Sequence, residues 1–255
     1  MIKDKLQKID SLKKELDALR PLKKEQLEGI KKMYDVELTY NSNAIEGSTL
    51  DYAETKIILL EGLTIGGKTT REHLEAINHK SAIDYIEEIA QKKTKNIKRT
   101  DVLALHRLIL RGIDDPNAGS YRAYDVYVNK GGGEKHMFPA PSKIENLMDN
   151  FYLWLKENKN MHPVLLASEA HYRLVSIHPF IDGNGRCARL LMNLILIQNA
   201  YPPAIIKMAK RKEYIQTIQN ADKKSMDEFY SFVADAELES LELYLDTVKN
   251  NIIWK

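Results

Sequence analysis

The sequence predicts a mainly helical protein with one small β-hairpin, and three observations carry that prediction. Apolar residues recur at steps of three and four along most of the chain, β-branched and aromatic residues flank a glycine run in one stretch only, and no repeat or long flexible linker divides the rest. With 255 residues, 44% of them hydrophobic, the chain can bury a sizeable core, so an ordered single domain with an N-terminal helical extension is expected.

The first helix is marked by Ile2, Leu6, Ile9, Leu12, Leu16 and Leu19, one apolar stripe that Pro21 should interrupt. The Lys and Glu residues around the stripe read as a solvated face, because acidic residues are interleaved with the basic ones; the stripe itself offers a seam for a homodimer. A second helix runs from about Leu27 to Ile45, with Gly47 as its stop and Ser48-Thr49 as the cap of the next. Helical spacing continues over 51–62, 70–92, 100–111, 143–157 and 163–177, and then through Cys187, Leu190, Leu191, Leu194 and Ile195. The exception is YRAYDVYVNKGGGEKHMFPAP, where Gly131-Gly132-Gly133 supplies a turn between two extended runs. A hairpin there, at about 120–141, has no large sheet to join, and its exposed edge could take an extended peptide as an added strand.

Lys+Arg 38 against Asp+Glu 36 leaves a charge of +2, too balanced for a default nucleic-acid role. The single Cys187 excludes an intramolecular disulfide and a cysteine metal cluster, which suits a cytoplasmic location. No apolar run approaches a membrane span of about 20 residues, and MIKDKLQKID carries charge where a signal peptide needs apolar residues. No membrane partner is expected.

The chemistry is concentrated in HPFIDGNGRCARLLMN, residues 178–193, between two helices. Gly183-Asn184-Gly185 gives the backbone the freedom to form an anion-binding nest where a helix begins. Arg186 and Arg189 lie three residues apart in the first turn, where the helix dipole disfavours cations. A polyphosphate, or a buried carboxylate, would offset that cost. Asp182 would repel phosphate unless a hard cation lay between them, so the set implies a Mg²⁺-nucleotide. His178, four residues before Asp182, can accept a proton from a hydroxyl at physiological pH. Phe180, an aromatic in a polar loop, should pack inward as an anchor, and His136, His162 and His171 read as structural.

His178, Phe180, Asp182, Gly183, Asn184, Gly185, Arg186 and Arg189 match every position of the signature HxFx[DE]GNGRxxR, and through it the chain resembles the Fic domain family. The resemblance implies the all-α Fic fold with a β-hairpin flap over 51–250, preceded by a helical extension at 1–35 and an inhibitory-helix region at 36–50. It implies a protein adenylyltransferase, in which His178 is the general base for a Ser, Thr or Tyr hydroxyl attacking the α-phosphate of ATP, and pyrophosphate leaves. Asp182 would hold Mg²⁺; Gly183, Asn184 (backbone and amide) and Gly185 would bind the phosphates, with Arg186 and Arg189 on the β and γ groups. Val126, Tyr127, Val128 and Asn129 resemble the flap strand that lies by the nucleotide and aligns a protein substrate. SNAIEG, residues 42–47, fits the inhibitory pattern [ST]xxxE[GN], which implies that Glu46 pairs with Arg189 in the space of the γ-phosphate and that Ser42 fixes the helix. RKEYIQTIQNADKKS resembles the adenine-packing region and would place Tyr214 and Asp222 near the base. An ionised Asp222 can accept from the adenine amino group but cannot donate to a ring nitrogen. Two further readings stand beside this one: removal of AMP by the same site, and a nucleotide-dependent interaction protein without turnover.

Overall fold

The computed structural model describes residues 2–92, 95–129, 135–223, 225–250 and 252. Helix α1 (Ile2–Ala18) lies along α10 (Asp227–Lys249), with Ile9 and Leu16 wholly buried. Lys5 bonds to Asp235 and Lys8 to Glu242, both at 2.6 Å, between the same two helices. The stripe expected to meet a second copy is therefore covered within the chain. The reason is physical: an amphipathic helix gains most of its stability by packing its apolar face, and α10 supplies that packing within the chain.

Helix α2 (Lys24–Ile45) begins before its apolar pattern does and crosses the expected boundary at 35/36 without a break, so residues 36–45 are the last turns of a longer helix. Gly47, at φ +105°, ends it. The next helix, α3 (Tyr52–Lys56), is capped not by Ser48-Thr49 but by Asp51, whose carboxylate accepts from the Glu54 N–H at 2.8 Å while Glu54 returns the bond to the Asp51 N–H. A carboxylate paired with a glutamate three residues on satisfies two helix-start amides at once, which Ser48-Thr49 cannot do. Thr49 instead gives both its N–H and its hydroxyl to Glu72. Past α3 the helix widens into a π turn, Ile57–Glu61, closed by Gly62 at φ +69°.

Helices α4 (Thr70–Ala90), α5 (Arg99–Leu110), α6 (Pro141–Glu157) and α7 (Pro163–Ile177) follow, and then α8 (Asn184–Gln198). Helix α8 is buried from Arg186 to Leu196 on every face, the mark of a central helix. It packs mainly on α7 and α4, with α5 beside it, and these neighbours fix the position of its N-terminus. Helix α9 (Arg211–Ala221) and α10 complete the core, in which Ile9, Ile30, Leu110, Leu174 and Leu241 belong to one apolar cluster.

The expected hairpin is present. Strand β1 (Tyr127–Asn129) pairs antiparallel with β2 (Lys135–Met137), Val128 opposite His136. Among the described residues the two strands pair only with each other. The Gly131-Gly132-Gly133 turn lies outside the described residues. Among the described residues no helix is long and apolar enough to cross a membrane.

Candidate active site

Helix α7 ends because Pro179 cannot continue it, and His178 closes the helix in the left-handed region at φ +51° with its N–H on the Leu174 carbonyl at 2.9 Å. That conformation costs a non-glycine residue about 1 kcal/mol, and what surrounds it over-determines it. The His178 ring stacks on Phe138 of the flap at 3.7 Å between centroids. Its Nδ1 lies 3.3 Å from the Val175 carbonyl, which can only accept, so the ring hydrogen is assigned to Nδ1 and the Nε2 lone pair is left free. Burial lowers the imidazole pKa to about 4, with Arg122 adding to the effect, so the ring is neutral at physiological pH.

The loop after His178 is held from three sides. Phe180 is fully buried, as expected, and stacks on His106 of α5 at 3.7 Å. His106 accepts the Gly119 N–H at Nδ1 (2.9 Å), so its other nitrogen donates to the Asp182 carbonyl at 3.0 Å. The Asn184 amide bonds in both directions to the Phe180 backbone, each at 2.9 Å. These two bonds tie the loop to the start of α8 and use one of the two N–H donors of the amide. Arg122 provides the third tie. Its guanidinium donates to the carbonyls of His178, Tyr124 and Pro139, and its N–H bonds the Pro179 carbonyl, so one side chain joins the flap to the His178 loop.

The first intrahelical bond of α8 runs from the Cys187 N–H to the Gly183 carbonyl, so the amides of Asn184, Gly185 and Arg186 are the unbonded start of the helix. Gly183 is left-handed at φ +78°, and its N–H bonds the Asp182 carboxylate at 2.6 Å. A Cβ on Gly185 would sit 2.3 Å from Glu46 Oε1 and 3.1 Å from Arg189 Nη1, so only glycine lets that carboxylate come so close to the backbone.

Arg189 is nearly buried and meets the end of α2. It donates to Glu46 Oε1 at 2.7 Å, to the Ser42 hydroxyl at 3.0 Å and to the Ser42 carbonyl at 2.9 Å. Its Nη1 also donates to the Tyr214 hydroxyl (3.4 Å), whose own hydrogen then goes to His171 Nε2 at 2.8 Å. Tyr214 and His171 therefore back Arg189. Arg186, 2% exposed, lies 3.3 Å from Glu75 and 3.4 Å from Asp182. A carboxylate, the alternative to polyphosphate, is thus present in the largely covered Glu75, while the buried Arg186 Nε has no partner. Asp182 also takes Arg71 at 2.9 Å. Burial raises the Asp182 pKa, but Arg186, the Gly183 N–H and Arg71 outweigh it and hold the group below the ordinary carboxylate range.

Glu46, His178, Gly185, Arg189 and Tyr214 line a cavity of 240 Å³, whose walls also include Val128, His136, Phe138 and Asp222; Asp182 and Arg186 lie outside that lining. Of the flap residues expected at the nucleotide, Val128 lines the cavity; Tyr127 is half exposed, the Val126 carbonyl bonds the Phe138 N–H, and Asn129 is placed by its backbone in β1. Asp222 stands at the far end and accepts from the Tyr172 hydroxyl at 3.0 Å. His162 is structural, capping α7 and meeting Asp10. Sequence reasoning missed Arg71, Glu75, His106 and Arg122, which carry no local motif.

Residues 96–196 match the model of the Fic/DOC family. Fic-1 from C. elegans is 30% identical, with a TM-score of 0.84, over 95% of this chain and 71% of that one. The chain belongs to the Fic/DOC family. A Fic domain containing signaling protein from Bacteroides thetaiotaomicron, 28% identical, superposes at a TM-score of 0.92 over 97% of this Fic chain and 99% of its own. The curated Protein adenylyltransferase Fic of Aedes aegypti is 37% identical over 241 residues, 94% of this chain. The chain spans about half the length of the curated relatives it matches, 46% of the Aedes protein.

Proposed function

We propose that this Fic protein transfers AMP from ATP to a Ser, Thr or Tyr hydroxyl of a protein, itself included, and that Glu46 restrains the reaction. The observation that carries the reading is one cavity lined by a neutral His178 with its Nε2 lone pair free, by Gly185 at the unbonded start of α8, and by Arg189 held by Glu46. The relatives named Protein adenylyltransferase Fic support it.

The residues suit a Mg²⁺-polyphosphate. Asp182 is an ionised carboxylate beside the helix start, the buried Arg186 Nε wants an acceptor, and glycine at 185 keeps the backbone open to close approach. A cation there would be held by one carboxylate, Asp182, and by substrate oxygens. Bound there, Mg²⁺ would neutralise phosphate charge and orient the leaving pyrophosphate.

His178 Nε2 takes the hydroxyl proton as the oxygen attacks the α-phosphorus; the bond from that phosphorus to the bridging oxygen breaks, and pyrophosphate leaves with its electron pair. The amides of Asn184, Gly185 and Arg186 donate to phosphate oxygens, and the guanidiniums of Arg186 and Arg189 stabilise charge on the leaving group. Val128 at the cavity rim and the two-stranded edge beyond it hold the target segment as an added strand. Glu46, on Arg189, stands where a terminal phosphate would bind, so ATP reaches the productive pose only when the carboxylate is displaced. Glu46 also lines the cavity that holds His178, the placement that activation of water for AMP removal would use.

The test is product analysis of Glu46→Gly protein with ATP and Mg²⁺. Pyrophosphate released in step with adenylated protein supports transfer, whereas inorganic phosphate released instead refutes it. Loss of AMP from pre-adenylated protein in the wild type alone would assign the reverse direction to Glu46.

A further inference from the structure

Asp182 is shared by two guanidiniums that differ in one respect. Arg186, 2% exposed, is held between Glu75 and Asp182. Arg71, 57% exposed, lies on the solvent side and donates from Nη2 to Asp182 Oδ2 at 2.9 Å. Its Nε donates to Glu75 Oε1 at 3.1 Å, one turn along α4. It stands in the first turn of α4, where the helix dipole disfavours a cation, so its position is owed to these two carboxylates.

Both oxygens of the carboxylate are engaged. Oδ1 accepts the Gly183 N–H at 2.6 Å and Arg186 at 3.4 Å, and Oδ2 accepts Arg71. A divalent cation binding Oδ2 at about 2.1 Å would bring two cationic centres onto one oxygen. Only Arg71 can yield, and it can do so while Nε stays on Glu75.

Resting on the reading of the site as an AMP transferase, we propose that Arg71 is an internal competitor for the divalent cation at Asp182 and sets how readily the site takes a metal-bound nucleotide. It is a positioning residue: it touches the metal ligand and neither base nor phosphate.

The experiment is calorimetric titration with the non-hydrolysable ATP analogue AMPPNP, in Mg²⁺ and separately in EDTA, on Glu46→Gly protein with and without Arg71→Ala. Melting temperatures confirm that both variants fold. Arg71→Ala should tighten binding in Mg²⁺ by up to about fivefold, the ceiling for a half-exposed ion pair, and should give no gain in EDTA. Arg71→Lys should behave like the parent, and adding Asp182→Ala should erase the gain. Unchanged or weaker binding in Mg²⁺, or the same gain in EDTA, overturns the proposal while the functional reading stands. A parent that binds no nucleotide in either buffer overturns both.

Discussion

Replacing Glu46 with glycine should tighten ATP and leave AMP alone, and the structure sets the size of the effect. The bond from Arg189 to Glu46 Oε1 is 2.7 Å; the arginine side chain is 6% exposed and the glutamate 40%. A hydrogen bond between charged groups contributes about 1.5 to 3 kcal/mol when shielded, and the exposed side of Glu46 brings that to about 1 to 2 kcal/mol. A terminal phosphate that needs Arg189 must displace the carboxylate at that cost, so its removal should strengthen ATP binding about 5- to 30-fold. AMP has no phosphate that reaches Arg189. The arginine should stay in place, because the Ser42 hydroxyl, the Ser42 carbonyl and Tyr214 still accept from it. Calorimetry with ATP and AMP in Mg²⁺ reads the difference. Equal tightening of both nucleotides would mean that the substitution merely opens the cavity, and no tightening of ATP would refute the competition altogether.

Other consequences are as direct. Because burial takes His178 down to about 4, the base stays unprotonated as pH falls through the ordinary histidine range. The transfer rate of Glu46→Gly protein should therefore stay level from pH 8 to about 5 and halve near 4; a midpoint near 6.5 would contradict the buried tautomer. Arg122→Met removes three donors that join the flap to the His178 loop. It should cut transfer at least tenfold with ATP affinity nearly unchanged, and equal losses in both would argue for general unfolding. Glu237, fully buried on α10 with neither oxygen bonded, is pushed well above the ordinary carboxylate range by burial, against the pull of Lys13. It folds protonated and ionises on unfolding, so its contribution to stability is present at low pH and lost as pH rises above about 4.5, by about 1.4 kcal/mol per pH unit. Urea titrations of Glu237→Leu should show that slope removed and the protein more stable at pH 8; identical slopes in the two proteins would place the ionisation elsewhere.

What was legible in the sequence is what depends on near neighbours along the chain. Helical spacing located most of the helices, and the eight signature residues between His178 and Arg189 share one loop and the first turns of one helix. Glu46 was legible at longer range only because its own short pattern marks a helix end, and the structure places it on Arg189. The N-cap at Asp51 was misread because two candidate capping groups lay within three residues and only the reciprocal bond with Glu54 decides between them. The apolar stripe of α1 was seen, but periodicity does not say what covers it, and α10 lies more than 200 residues away. Arg71 meets Asp182 across 111 residues, and Arg122 meets His178 across 56. Their roles come from packing, which brings charge and carbonyl oxygens together without leaving a local pattern to read.

The central claim is AMP transfer by His178 under restraint by Glu46, and its most direct test is isotopic. Wild type, Glu46→Gly and Glu46→Gly with His178→Ala would each be incubated with Mg²⁺ and either α-³²P-ATP or γ-³²P-ATP, and the label on protein counted. The account predicts label from the α position alone, weak in the wild type, strong in Glu46→Gly and absent when His178 is also replaced. Label from the γ position, or α label that survives the loss of His178, would contradict it.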